Sequence, residues 1–252
     1  VTHVHGKIDP IEDAEVIETE LIIADLESVE KRIKGLAKKA KSDKTLAAQL
    51  ELLEKCQIIL SEGKSVRTLN GSVDEKELKD LQLITSKPVL FVCNVLEHEA
   101  ATGNAQSEKV AAMAKELGAN SVVISSKIEE EISTLESPEE KKEFLESLDL
   151  KETGLSKIIK SAYLLLDLNS FFTIGPKEAH AWTFSTGSLA PQAAGIIHTD
   201  FEKGFIRAQV IGYDDFITFK GEQGAKTAGK WRSEGKDYIV RNGDIILFRF
   251  NV

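Results

Sequence analysis

The sequence predicts an α/β region followed by an α+β region, with a long antiparallel helical hairpin set into the first. Three observations carry this. Residues 11–40 hold apolar side chains at alternating spacings of four and three. Two short apolar runs, 88–93 and 121–124, are separated by a helical pattern. From Leu168 onward the chain consists of short strand-like runs and turns.

The hairpin comes first in the chain. Ile22, Leu26, Val29, Ile33, Leu36 and Ala40 fall on one stripe of a helix. Ser42 or Asp43 can cap a second helix, whose seam is Leu46, Leu50, Leu53 and Leu60. The arms should fold back on each other and project roughly 40 Å, for about 27 residues at about 1.5 Å each. Gly63 and Asn70-Gly71 end the hairpin.

Strand 88–93 is then followed by a helix near 106–117, a strand at 121–124 and helical stretches at 127–147 and 154–166. Continuous apolar strands separated by helices predict a parallel sheet covered on both faces, and two strands are few for one. The last stretch contains the runs "FFTIG", "EAHAWTF", "GFIRAQVI", "DDFITFK" and "DYIVRNGDIILFRF", and Asn242-Gly243 is a tight-turn signal. It reads as a separate α+β or β-rich domain.

With 252 residues and 42% hydrophobic content, the chain can bury a proper core. Its net charge of −9 argues against a surface that grips nucleic acid or anionic lipid everywhere, while leaving room for a local basic patch. Two cysteines, Cys56 and Cys93, exclude a disulfide framework and a CxxC metal site, so both are expected to be reduced core residues in a cytoplasmic protein. No apolar run reaches the length of a membrane span, so no membrane partner is expected. The chain opens on Val1, and "VTHVHGKIDP" reads as mid-domain sequence, so more sequence is expected upstream.

The stretch "PVLFVCNVLE" delivers Asn94, Val95, Leu96 and Glu97 to the carboxyl end of the first strand, and Ser125, Ser126 and Lys127 follow the second. Ligands of open parallel sheets sit at such strand ends. An Asn amide donates to and accepts from a purine edge, and backbone N–H groups of a second loop can complete a base pocket. The plainer alternative has Asn94 capping a turn and Glu97 solvated.

The order N-V-L-E, helix, strand, S-S-K resembles the base-specificity half of a P-loop GTPase, whose usual forms are N-K-x-D and S-A-K. The helical insertion before it and the terminal segment from "APQAAGIIHTDFEKGFIRAQ" to "NGDIILFRFNV" resemble the YchF family of Obg-like ATPases, over essentially the whole chain. That resemblance implies a partial P-loop nucleotide-binding domain over 1–17 and 84–167, a helical hairpin (coiled coil) over 18–83 and a TGS domain, a small β-grasp module, over 168–252. It also implies ATP or GTP with Mg²⁺ as the cofactor of the complete protein. The P-loop, switch segments and magnesium ligands of the family fall before Val1, so no catalytic residue is assigned in this chain. Glu97 is one methylene longer than the usual Asp and Val95 replaces the Lys, so guanine preference should weaken. Asn94 can still meet the N7 and N6 edge of adenine, and the resemblance suggests a main-chain contact at Val95; ATP is expected over GTP.

"EGKS" at 62–65 resembles the end of a Walker motif, but Ile58 stands where its first Gly belongs, and Gly63 reads better as a helix terminator. His3, His5, His98, His180 and His198 form no metal-ligand spacing, so no metal site is assigned. Between 31 and 44, Lys31, Arg32, Lys34, Lys38, Lys39, Lys41 and Lys44 face the single Asp43, a net +6, whereas 127–152 carries ten acidic and four basic side chains. The basic set is either ordinary helix solvation or phosphate contact with RNA at the end of a projecting arm. In "HTDFEKGFIRAQ", strand packing suffices to explain the alternation of apolar with polar side chains.

These readings make the chain the C-terminal part of a YchF-like ATPase that contacts a purine nucleotide and the ribosome or structured RNA, with no DNA specificity expected. By itself it should be inactive. The alternative is a non-catalytic RNA- or protein-binding module with a vestigial nucleotide pocket.

Overall fold

The computed structural model describes residues 8–251; expectations placed on 1–7, His3 and His5 among them, lie outside the described residues. The chain divides between Ser161 and Ala162 into two compact units.

In the first unit, α1 spans Pro10–Leu36. Asp9 caps it by accepting from the Glu12 amide, Pro10 sits where a missing N–H costs nothing, and Lys34 complements the helix dipole in the last turn. The helix stops short of the expected seam, and residues 37–42 form turns, so Ala40 belongs to the connection. Gly35 weakens the helix by about 1 kcal/mol relative to Ala. Asp43 then captures the amides of Thr45 and Leu46 and starts α2, Lys44–Ser61. The chain must reverse between these two signals.

Gly63, at φ 73°, ends α2: Lys64 N–H donates to Ile59 O at 3.1 Å and Gly63 N–H to Leu60 O at 3.0 Å. That is a Schellman cap, so the Walker-like tetrapeptide is a helix stop. α1 and α2 pack through Ile22, Val29, Leu53, Cys56 and Leu60, joined by Leu78 of α3 (Glu75–Asp80). Burying a side chain such as Leu53 contributes about 1.5–3 kcal/mol.

The seam also contains a carboxylate. Asp25 is 2% exposed and accepts from Ile84 N (2.9 Å), Thr85 N (2.7 Å) and Thr85 Oγ1 (2.7 Å), tying α1 to the segment that leads into the first strand. Arg67 adds a second tie, pairing with Glu18 and donating from Nε to Lys87 O at 3.2 Å.

β1 (Leu90–Asn94) and β2 (Asn120–Ile124) are parallel, in register from Leu90 opposite Asn120 to Asn94 opposite Ile124. α4 (Ala105–Glu116) supplies the crossover that a parallel pair requires. The strand begins two residues later and ends one residue later than 88–93 suggests, so Asn94 closes β1 and its backbone is fixed by the ladder opposite Ile124. The helical stretch 127–147 divides into α5 (Ser126–Thr134) and α6 (Pro138–Ser147), because Pro138 favours a first-turn position and Ser137 caps it. α7 (Gly154–Leu165) follows, its first amides, Gly154 and Leu155, held by Glu129 of α5.

The second unit has a five-stranded mixed sheet in the order β4-β3-β7-β5-β6. Its elements are β3 (Leu168–Ile174), β4 (Ala179–Ser185), α8 (Ala190–Ile197), α9 (Thr199–Lys203), β5 (Phe205–Gly212), α10 (Tyr213–Thr218), α11 (Glu222–Thr227), β6 (Arg232–Glu234) and β7 (Asp244–Phe250). β3 and β7 are parallel and the other pairs antiparallel. One sheet face packs Phe171, Phe184, Val210 and Phe248 against Ala193 and Ala194 of α8. "DDFITFK" is helical, not a strand: it forms α10 and the turn after it, Phe216 and Phe219 falling three apart rather than alternating. At Asn242-Gly243 only Gly243 has positive φ (83°), and Asp244 N–H reaches Arg241 O, a type II-like turn rather than a two-residue hairpin.

Candidate nucleotide-binding site

The parallel register carries Asn94 and Ser126 to the same end of the sheet. Asn94 Oδ1 accepts from Ser126 N at 2.9 Å, so one side chain clasps the loops that follow β1 and β2. A second link joins them: Lys127 Nζ lies 2.9 Å from Glu97 Oε2. The hydrogen bond to Glu97 is the first cause holding Lys127 above its ordinary pKa.

The clasp fixes which atoms remain for a ligand. With Oδ1 engaged, the Asn94 amide offers its Nδ2 donors outward. Val95 N–H donates to Ile124 O at 2.9 Å, while no hydrogen bond to the Val95 carbonyl is present among the described residues. Leu96 is 64% exposed. Ser125 is buried at 3% exposure, and its Oγ has no hydrogen-bond partner among the described residues. A donor amide and an open carbonyl thus stand together at the end of β1, while the Ser125 hydroxyl is enclosed. For the magnesium ion, no group of three His, Cys, Asp or Glu that could hold a metal is present among the described residues.

A cavity of about 700 Å³ opens beside the loop, lined by Ile8, Phe91, Cys93, Asn104 and Val110 and edged by Asn94, Val95 and Leu96. Glu97 and Ser125 to Lys127 do not line it.

Two residues that sequence reasoning passed over hold the loop in place. Glu99 Oε2 accepts from Leu96 N (3.2 Å) and Asn104 Nδ2 (2.9 Å), and Asn104 Oδ1 caps α4 through Gln106 N and Ser107 N. The run Asn104-Ala105-Gln106-Ser107 ahead of the helical pattern was the available signal, since Asn three before a polar residue marks a helix start.

The basic set gathers at one end of the helix pair. Lys31, Lys34, Lys38, Lys39, Lys41 and Lys44 are exposed, and among the described residues none lies within ion-pairing distance of a carboxylate. Arg32 differs: it is half-buried and donates from Nη1 to Leu81 O. Of the remaining histidines, His180 lies against Trp182, ring centroids 4.1 Å apart and tilted by 41°, and His198 caps α9 by accepting from Asp200 N. No helix of the described residues is long and apolar enough to cross a membrane.

Fold and site together define a mixed α/β protein that joins a short parallel sheet with clasped polar loops to a five-stranded mixed sheet. The family model YchF-GTPase_C, described as a protein of unknown function (DUF933), matches residues 168–251. The ribosome-binding ATPase YchF of Haemophilus ducreyi is 49% identical over 254 residues, covering 100% of this chain and 69% of that protein. The protein of the same name from Bacillus subtilis is 48% identical over 256 residues, covering 100% and 70%. Among solved structures, the Schizosaccharomyces pombe YchF GTPase superposes with a TM-score of 0.80 at 34% identity, over 98% of this chain and 68% of that one. A GTP binding protein from Pyrococcus horikoshii OT3 shares the fold at a TM-score of 0.60 and 21% identity. The chain belongs to the YchF family.

Proposed function

We propose that this chain reads the base of ATP and contacts the ribosome within a nucleoside-triphosphate hydrolase of the cytoplasm. The clasp between Asn94 and Ser126 carries the reading, because it makes the ends of both strands one surface with a free donor and a free acceptor side by side. In this assignment 84–167, with 1–17, is part of the nucleotide-binding domain, 18–83 an antiparallel hairpin and 168–252 a β-grasp TGS domain.

Base choice follows from donor and acceptor matching. The Val95 carbonyl can accept from the 6-amino group of adenine but faces an acceptor in the 6-oxo group of guanine, while the Asn94 amide serves N7 of either. The loop of Ser125, Ser126 and Lys127, clasped to Asn94 beside the cavity, would border the base from the second strand. Leu96 covers the base with its exposed side chain. ATP therefore binds the complete protein more tightly than GTP, and a titration in which GTP is tighter by tenfold, about 1.4 kcal/mol, overturns the assignment.

The ion needed for hydrolysis, Mg²⁺, would neutralise phosphate charge, and none of the residues described here is assigned to it. Phosphate contacts supply much of a nucleotide's binding energy, so the 252-residue chain should bind ATP poorly and not turn it over. The lysines at the hairpin end contribute RNA phosphate contact, supported by their clustering and exposure and by the ribosome-binding name of the relatives. Co-sedimentation with ribosomes over a salt series tests this part. Ribosome binding without any nucleotide binding by the complete protein would favour the non-catalytic module instead.

A further inference from the structure

The two edges of the second unit's sheet are unlike. β6, at one edge, is three residues long and opens and closes on charged side chains, Arg232 and Glu234. Shortness and charge are how sheets keep an edge from pairing with another chain. β4, at the other edge, has neither guard: it runs seven residues, Ala179–Ser185, without an Asp, Glu, Lys, Arg or Pro and without a shift of register against β3.

The ladder decides which of its backbone groups are spare. Gly175 N–H donates to Glu178 O at 2.9 Å before the strand and Thr186 N–H to Asp167 O at 2.7 Å after it, both continuing the register that pairs Ile174 with Ala179 and Leu168 with Ser185. Hydrogen-bonded pairs alternate along an antiparallel ladder, so His180, Trp182 and Phe184 turn their N–H and C=O toward β3, while Ala179, Ala181 and Thr183 turn theirs outward. Among the described residues these outward groups make no hydrogen bond, and all three residues are exposed. Thr183 is engaged through its side chain, Oγ1 lying 3.0 Å from Tyr163 OH. Ser185 O, by contrast, accepts from Ser188 N and Oγ, which closes the row at that end.

We propose that β4 pairs antiparallel with β4 of a second copy of this chain, about a two-fold axis at Ala181. The strand is complementary to itself in that register. Ala179 meets Thr183 of the second copy and Ala181 meets its own equivalent, each pair exchanging two N–H···O bonds. Between them, His180 falls opposite Trp182 of the second copy, in the non-hydrogen-bonded pairs where side chains come closest and aromatic pairs stabilise. No like charges face each other, since Lys177 falls opposite Ser185 and Glu178 opposite Phe184. Residues 162–252 carry ten basic and ten acidic side chains, so two such units meet without net repulsion. An extended segment of another protein would use the same backbone groups, but only a copy brings a Trp to His180 and a His to Trp182 at once. An interface one strand wide falls short of the roughly 1,200–2,000 Å² that stable complexes bury, so the dimer is weak and forms at high concentration. The inference is independent of the nucleotide and ribosome reading.

The test is sedimentation equilibrium of the 252-residue chain from about 5 to about 500 µM, since mass action makes a weak dimer depend on protomer concentration. The mean mass should climb from 27.7 kDa toward twice that value. Ala181→Lys and Ala181→Glu each set like charges directly opposite across the axis, so each alone should stay monomeric over the whole range. An equimolar mixture of the two should regain the two-chain species. Ala181→Pro removes an N–H that the fold does not use and should also abolish it. A melting curve accompanies each variant, and any variant that fails to fold is set aside in favour of the others. A parent chain that is monomeric at every concentration overturns the proposal and leaves the edge to an extended segment of another protein. A dimer that persists in the folded Ala181→Lys and Ala181→Pro variants, or a mixture that stays monomeric, overturns it as well.

Discussion

Lys127 Nζ and Glu97 Oε2 stand 2.9 Å apart, so the carboxylate that ends the first loop is already answered by a cation from the second. For Glu97 to accept from the N1–H and amino group of guanine, it would have to exchange a charge-assisted bond for neutral donors. In the complete protein, Lys127→Met should therefore move the ratio of GTP to ATP affinity toward GTP by roughly twofold to fivefold, the scale of an exposed pair. Parallel titrations of the two nucleotides measure it, and an unchanged ratio would show that Glu97 lies out of reach of the base.

A buried carboxylate holding three donors is costly to remove. Asp25→Ala strips the partners from Ile84 N, Thr85 N and Thr85 Oγ1, and should destabilise the first unit by about 3 kcal/mol or more. Denaturant midpoints of the two proteins give the difference. A loss below about 1 kcal/mol would mean that water replaces the carboxylate.

The thiols should differ in reactivity. Burial first, and then the Asp25 charge, pushes Cys56 up to about 11, and burial raises Cys93 as well. The thiolate is the nucleophile, so at pH 8.5 iodoacetamide should leave Cys56 unmodified in the folded protein, modify Cys93 slowly, and modify both equally in strong denaturant. Because the folded state keeps the Cys56 proton longer, this contribution to stability is complete below the unfolded thiol's pKa of about 8.5 and is lost as pH rises through the folded value. Peptide mass mapping at timed quenches reads the labelling; rapid modification of Cys56 in the folded state would contradict the burial argument.

In the second unit, Tyr238 OH donates to Asp244 Oδ2 at 2.7 Å and accepts from Arg232 Nη2 at 3.0 Å. Burial, followed by the bond to Asp244, pushes its pKa up to about 12. The folded state thus holds the phenol neutral where the unfolded chain ionises it, and stability should fall from about pH 10 toward 12. Tyr238→Phe should lower stability at pH 7 by about 1.5–3 kcal/mol, the value of a hydrogen bond to a charged group, while flattening that alkaline decline. Thermal melts from pH 7 to 11.5 separate the two effects, and an equally steep decline in the variant would assign it to another group.

Periodicity made much of this fold legible. Ile22, Val29, Leu53 and Leu60 are buried where their spacing put them, and Asn94 and Ser126 meet because two apolar runs joined by one helix can only be parallel neighbours. What the sequence hid were contacts made by polar residues across long separations. Asp25, three after Ile22 and four before Val29, falls on the apolar stripe, but its charge marks it as solvated, and the hydrogen bonds to residues 84 and 85 explain its burial. Glu99 acts through Asn104, and neither is apolar enough to register in a hydrophobic pattern. "DDFITFK" misleads because four apolar or β-branched residues in a row suit a strand or a helix equally, and Gly212 and Gly221 on its flanks are common to both.

Asp25 lies midway along a helix of 27 residues, with the lysine-rich turn beyond one end, and it holds residues 84 and 85, which precede the strand that carries Asn94. The arm is therefore pinned at its waist, and the carboxylate that anchors it also sets where the chain enters the parallel sheet.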